Sequence, residues 1–219
     1  MPVRKIKKNY RSVTGHFSSV KNDRNIAYES LLERDFFLLL EFDRSVASYE
    51  EQPIALSYHY AKRDIRYTPD ALVHYKDPKR IPCIFEIKYS EEVKEKKVFL
   101  KQKFEQIEEY LIQNDMEFKL FTELDIRTQF LENAKMIYGA ISGSISGFEQ
   151  ERMEHIRRVL VNEKILSISE CMSKLSSNRY EQAVYIRHLW YLVFLGKVKI
   201  DMDTKITNNT MIGVSRENH

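Results

Sequence analysis

Cysteine, glycine and proline are all scarce in this chain: two, six and five among 219 residues. Cys83 and Cys171 stand far apart, which excludes a disulfide framework and gives no zinc-ligand spacing. Free buried thiols in a reducing compartment are expected instead. With so little glycine and proline, and no low-complexity tract, a fibrous or disordered chain is excluded. No stretch approaches the ~18 consecutive apolar residues of a membrane helix. The basic N-terminus is not followed by the long apolar run of a secretory signal, so a cytoplasmic location is expected. Neither sign of charge dominates, with 35 Lys and Arg against 32 Asp and Glu.

What is present is apolar surface: 43% of residues, with twelve Phe and thirteen Tyr. That suffices for one sizeable domain or two smaller ones. The charge is also uneven. From Met1 to Arg24 there are seven basic residues (Arg4, Lys5, Lys7, Lys8, Arg11, Lys21, Arg24) and one acid, Asp23. Such an arm suits an acidic partner such as nucleic acid, or is simply a solvated tail.

Apolar periodicity predicts a helix over residues 23–42, with Asn22 or Asp23 as its cap. Strands are expected over Val46–Glu50, Ile54–Tyr60, Ile65–Tyr75 and Ile81–Tyr89. The last two are joined by the turn Lys76-Asp77-Pro78-Lys79-Arg80. A charged amphipathic helix follows, about Glu91–Gln113, then a strand over Glu117–Thr122 and a helix over Leu131–Ala140. Gly139–Gly147 holds three Gly and three Ser and reads as a linker or helix boundary. Beyond it come three helices (Phe148–Asn162, Ser167–Leu175, Arg179–Leu195) and a hairpin (Lys197–Met202, Ile206–Val214). That order is the plan of a winged-helix module.

The chemistry is concentrated in Tyr67-Thr68-Pro69-Asp70 and Glu86-Ile87-Lys88. With the turn centred at Pro78, Asp70 and Glu86 sit level on neighbouring antiparallel strands, where facing Cβ atoms are roughly 4.5–5.5 Å apart. Side chains alternate along a strand, so Glu86 and Lys88 share one face while Phe85 and Ile87 take the other. Two carboxylates at that separation can share a divalent cation, and oxygen-only ligands suit Mg²⁺ or Mn²⁺. Such an ion polarises a phosphodiester and activates water. Lys88 would stabilise developing charge. Glu29 or Glu33, on the preceding helix, would supply a third carboxylate. The bland alternative is an exposed cross-strand ion pair between Glu86 and Lys88.

These residues resemble the PD-(D/E)xK nuclease superfamily, with its restriction-endonuclease fold. Glu29-Ser-Leu-Leu-Glu33, Leu39-Leu-Glu-Phe42, Glu50-Glu-Gln-Pro53, Tyr67-Thr-Pro-Asp70 and Phe85-Glu-Ile-Lys88 together look like one branch, the TnsA-like endonucleases of heteromeric cut-and-paste bacterial transposases. The resemblance implies a catalytic set of Glu33, Asp70, Glu86 and Lys88, with Glu29 as fallback. Glu33, Asp70 and Glu86 would be the ligands of Mg²⁺, for which Mn²⁺ could substitute. It further implies cleavage at the 5′ ends of a transposon, on the non-transferred strands. The implied partners are the transposon-end DNA, a TnsB-like transposase and a TnsC-like ATPase regulator. Gln52 falls in a matching motif with no chemistry assigned.

The expected architecture is therefore a basic arm (1–24), an α/β restriction-endonuclease-like domain with a mixed sheet flanked by helices (25–145), and a small winged-helix-like domain (146–219). In the last, Arg179, Arg187, His188, Lys197 and Lys199 would meet DNA or, slightly favoured, a protein partner, while Trp190, Tyr191 and Phe194 are expected in the core. Lys94, Lys96, Lys97, Lys101 and Lys103 alternate with glutamates and read as a solvated helix face. His74, four residues after Asp70 on the same strand face, could touch the rim of the site, but ordinary packing is expected instead. The alternatives to this function are a stand-alone restriction or repair endonuclease and a non-catalytic DNA-binding adaptor.

Overall fold

A computed structural model describes residues 13–53, 55–60, 63–141 and 147–215. The chain divides into two compact units, Met1–Arg127 and Thr128–His219. No helix among the described residues is long and apolar enough to cross a membrane.

The first unit opens with an antiparallel hairpin, β1 (Gly15–Ser19) and β2 (Arg24–Tyr28). Helix α1 then spans Leu31–Phe42. The helix expected from residue 23 thus begins only at Leu31. Alternation around the buried Ile26 makes residues 24–28 a strand, with Asp23 at φ 51° in the turn before it. The start of α1 is set by Ser30, whose hydroxyl accepts from the Glu33 amide; this leaves no capping role for Asn22 or Asp23. Asn22 instead accepts from the Tyr49 amide.

Strands β3 (Val46–Glu51), β4 (Leu56–Tyr60), β5 (Arg63–Tyr67), β6 (Ala71–Tyr75) and β7 (Cys83–Ile87) follow. The strand expected over Ile65–Tyr75 is interrupted at Thr68-Pro69-Asp70, where proline brings no ladder donor. Helices α2 (Ser90–Glu95) and α3 (Lys97–Gln113) split the expected Glu91–Gln113 helix at Lys96. Strand β8 (Glu117–Phe121) and the short α4 (Glu123–Ile126) complete the unit. The main sheet has the order β3-β6-β7-β8, antiparallel except for the β7–β8 pair. Strands β4 and β5 form a separate ribbon.

This sheet is covered on both faces. On one, Phe36 of α1 packs on Phe85 and Phe121, with ring centroids 4.9 and 5.7 Å apart. On the other, Ile84 packs with Leu100, Phe104, Ile107 and Leu111 of α3, and with Tyr67. Each large apolar side chain so buried contributes roughly 1.5–3 kcal/mol. The mixed sheet between helices fits a restriction-endonuclease-like fold, and the alternation expected of β7 holds, with Phe85 on one face and Ile84 on the other.

The second unit comprises α5 (Gln129–Ala140), α6 (Gly147–Glu163), β9 (Ile165–Ser167), α7 (Ile168–Leu175), α8 (Arg179–Phe194), β10 (Val198–Ile200) and β11 (Met211–Val214). The expected β10–β11 hairpin is present, and β9 joins it as a third antiparallel strand, order β10-β11-β9. Ser167 and Glu170 form a reciprocal capping box at the start of α7. Asn133 on α5 is buried and donates to the carbonyls of Met202 and Thr204 at 2.9 and 2.7 Å, which pins the β10–β11 connection. Trp190 and Phe194 are buried as expected, and Tyr191 is half-buried. His188 is buried too, its Nδ1 2.7 Å from the Val184 carbonyl, so it is not a groove-reading side chain. Of the Gly139–Gly147 stretch, residues 142–146 lie outside the described residues.

Candidate active site

Backbone register puts two of the expected carboxylates face to face. Ala71 pairs with Phe85, Leu72 with Ile84 and Val73 with Cys83. One step beyond the Ala71–Phe85 pair, Asp70 stands opposite Glu86. The β3–β6 register, in which Glu51 pairs with Ala71, likewise brings Gln52 level with Asp70, and the Gln52 amide donates to the Asp70 carbonyl at 3.1 Å. Asp70 is held in place by its own Oδ2, which accepts from the Ile87 amide at 2.7 Å.

Lys88 closes the group. Its Nζ lies 3.4 Å from Asp70 Oδ2 and 3.2 Å from Glu86 Oε1, and donates to the Ile87 carbonyl at 3.0 Å. Asp70, Glu86 and Lys88 are thus in direct contact. The Glu86–Lys88 pair is no exposed cross-strand pair, since the glutamate side chain is 3% exposed and the lysine 24%.

Two further residues complete the surroundings of Glu86. Lys103 reaches in from α3, its Nζ 3.1 Å from Glu86 Oε1 and 4.0 Å above the Tyr67 ring. The Tyr67 hydroxyl donates to Glu86 Oε2. The expectation that Lys103 belongs to a solvated face is therefore wrong, and the sequence did carry a sign of it. Lys103, Ile107 and Leu111 recur every four residues, so this lysine sits on the buried stripe of α3 rather than opposite it.

Charge and burial act on one another here. Burial first, and the Glu86 charge next, push the Asp70 carboxyl up to about 8. Its side chain is 17% exposed, so dense surrounding protein, not complete occlusion, is what disfavours the anion. Burial works against the Lys88 charge, but Asp70 and Glu86 outweigh it and raise its pKa above the ordinary lysine value.

Glu33 stands apart from this contact group. Its Oε1 accepts from the Ser30 hydroxyl at 2.9 Å and its Oε2 from the Glu29 amide at 2.8 Å. The carboxylate serves the N-terminus of α1, a role that the Ser30-Leu31-Leu32-Glu33 spacing announces. Its charge still reaches the site: it raises the Asp70 pKa, and Lys88 acts back on it. Burial raises the Glu33 carboxyl, and the Glu29 and Ser30 hydrogen bonds offset part of that. Glu29 precedes α1, so the two glutamates do not share a helix face. Among the described residues, no group of three or more His, Cys, Asp or Glu side chains is drawn together closely enough to hold a metal ion.

Gln52, given no chemistry from the sequence, is 7% exposed, has φ 44°, and its Oε1 is buried without a hydrogen-bond partner among the described residues. Backbone strain in a non-glycine residue beside a site is a recurrent mark of function. His74 lies on β6 with Nε2 3.9 Å from Glu50 Oε1, half exposed and away from the carboxylates. Of the basic arm, Arg4 to Arg11 lie outside the described residues. Lys21 and Arg24 are occupied structurally. Lys21 donates to the Asp43 and Val46 carbonyls at 2.6 and 3.1 Å. Arg24 forms a bidentate pair with the buried Glu51, at 2.8 and 2.5 Å.

No curated protein matches the chain. A family model described as "TnsA-like endonuclease N terminal" matches residues 43–123, a span that includes Asp70, Glu86, Lys88 and Lys103 and leaves Glu33 and the second unit outside it. Residues 43–123 of the first unit are accordingly similar to the N-terminal domain of TnsA-like endonucleases.

Proposed function

We propose that this protein is a metal-dependent DNA endonuclease that hydrolyses the 5′ ends of a transposon, on the non-transferred strands. It would act with a TnsB-like transposase and a TnsC-like ATPase regulator in cut-and-paste transposition. The observation that carries the reading is the facing pair Asp70 and Glu86 with Lys88 within 3.4 Å of both. A surface ion pair has no need of two adjacent carboxylates on one buried row, because like charges repel there.

The donor set fits a hard divalent cation in kind. Asp70 and Glu86, joined by Glu33, offer carboxylate oxygens alone. Burial above all raises the Asp70 and Glu33 carboxyls, and a divalent ion would offset that cost to their charged forms. When bound, Mg²⁺ supplies a Lewis acid for the phosphodiester and a water of lowered pKa. Lys88, held charged by the two carboxylates, stabilises the negative charge that builds on the phosphoryl oxygens. The amide of Ile87 keeps Asp70 pointed into the row.

The second unit has helices and strands in the order α6-β9-α7-α8-β10-β11. We read residues 146–219 of this unit as a winged-helix module that contacts protein partners, with α5 packed in the same unit ahead of it in the chain. The test is to incubate transposon-end DNA with this protein, its neighbouring transposase and Mg²⁺, and to map nicks on each strand. Nicks at the 5′ ends that vanish with Asp70→Ala, while partner binding persists, are the expected result. Undiminished cleavage by Asp70→Ala would reject the site. Cleavage with no transposase present would favour a stand-alone nuclease.

A further inference from the structure

Glu86 is a single carboxylate facing two cations. It is 2% exposed and both its oxygens are engaged. Oε1 is shared by Lys88 at 3.2 Å and Lys103 at 3.1 Å, and Oε2 accepts from the Tyr67 hydroxyl. Lys88 divides its charge between Asp70 and Glu86, whereas Lys103 is directed at Glu86. Bringing in this second ammonium, whose side chain is only 14% exposed, costs desolvation and side-chain entropy.

The origin of the second cation is also informative. Lys88 is two residues from Glu86 on the same chain segment. Lys103 comes from α3, a separate element, and its Nζ already lies 4.0 Å above the Tyr67 ring. A ring face is a resting place for an ammonium that has lost its carboxylate. Lys103 therefore keeps a partner without leaving the site.

We propose that Lys103 is an internal competitor for the divalent ion. It holds Glu86 in position in the metal-free protein, and it yields Oε1 when the cation arrives, keeping its place over the Tyr67 ring. An ammonium and a divalent ion cannot share one oxygen at about 3 Å without strong repulsion. Lys103 is thus a positioning residue for Glu86 that also sets the metal concentration at which the site fills. This inference rests on the metal-dependent reading above.

The test is a Mn²⁺ titration of the full chain without DNA, following free Mn²⁺ by electron paramagnetic resonance. Lys103→Met keeps the length and the packing on Tyr67 but removes the charge. It should bind Mn²⁺ more tightly, on the order of three- to tenfold after allowance for solvent screening. Lys103→Arg keeps the charge and should bind as the unaltered protein does. A side chain that merely propped Glu86 would give the opposite sign, looser binding on removal. Should Lys103→Met fail to fold, Lys103→Gln is read by the same titration.

Asp70→Asn separates the two claims. If the unaltered protein binds Mn²⁺ and Asp70→Asn abolishes it, the metal reading stands; unchanged or weaker binding by the Lys103 variants then overturns this proposal alone. If the unaltered protein binds no Mn²⁺, or binds it regardless of Asp70, the metal reading falls and takes this inference with it.

Discussion

Asp70 and Glu86 face each other one residue beyond the Ala71–Phe85 pair of β6 and β7, and the Ile87 amide fixes Asp70 there at 2.7 Å. Two buried carboxylates so placed destabilise one another, and Lys88 offsets only part of that. Asp70→Asn should therefore have two opposite effects. Cleavage of transposon-end DNA should fall on the order of 10²–10³-fold, the scale expected when a group acting directly in the transition state is lost. The melting temperature of the metal-free protein should rise. A variant that lost activity and stability together would mean that Asp70 serves the fold rather than the site.

The same residue gives the metal-free protein a pH dependence of known sign. In the unfolded chain Asp70 titrates near ~3.9, and in the folded protein it is pushed up to about 8. Between those values the folded state binds the extra proton, so stability is greatest at the acid end and declines as pH rises. The decline ends at about 8, where both states are ionised. Urea denaturation across this window should show the slope, and Asp70→Asn should remove most of it. A slope that survives the substitution would trace the effect to other groups.

Glu33 has two roles to separate. As a cap acceptor for the Glu29 amide and the Ser30 hydroxyl, its loss in Glu33→Gln should cost roughly 1 kcal/mol of stability. Ser30→Ala should cost a similar amount, since it removes the same cap. If Glu33 also joins the reaction, Glu33→Gln should lose cleavage while Ser30→Ala keeps most of it. Equal, mild effects of both substitutions on cleavage would confine Glu33 to the helix end.

Arg24 and Glu51 tie the N-terminal hairpin to the edge of the main sheet. The glutamate is 3% exposed, so removing its partner strands a charge. Arg24→Met should destabilise the protein by about 2–3 kcal/mol, below the full cost of breaking a buried pair because the arginine is partly exposed. The double variant Arg24→Met, Glu51→Leu should recover much of the loss. Although burial works to raise it, the Arg24 pairing holds the Glu51 carboxyl below its ordinary value. Its contribution should be present above the unfolded carboxyl pKa, ~4.3, and disappear as pH falls through the lower folded value. Denaturation midpoints from pH 6 to pH 3 would show whether the double variant has lost that acid sensitivity.

The site was legible where strand alternation alone determined it. Counting residues from the Pro78 turn was enough to put Asp70 opposite Glu86, and parity was enough to put Lys88 beside Glu86. Residues 23–28 were misread because Tyr28 fits the apolar spacing of the helix that follows, and Ser30-Leu31-Leu32-Glu33, the signal for the true start, was read only as a motif of the site. Lys103 was misread because charge alternation along α3 masked its place on the apolar stripe. Thr68-Pro69-Asp70 hid a strand break inside a β-rich run. Strand β9 could not be read either, since three residues carry too little periodicity to distinguish a strand from a helix cap.

The turn over residues 76–81 is exposed throughout, whereas β7, just beyond it, is buried along its length. Because β6 and β7 meet as a hairpin, extra residues at that tip lengthen the loop and leave the pairing behind it untouched. A single residue inserted within Asp70–Val73 would instead turn the aspartate to the opposite side of the sheet. The outer bend is thus the place where this chain can accept a label or a tether with the Asp70–Glu86 pairing left intact.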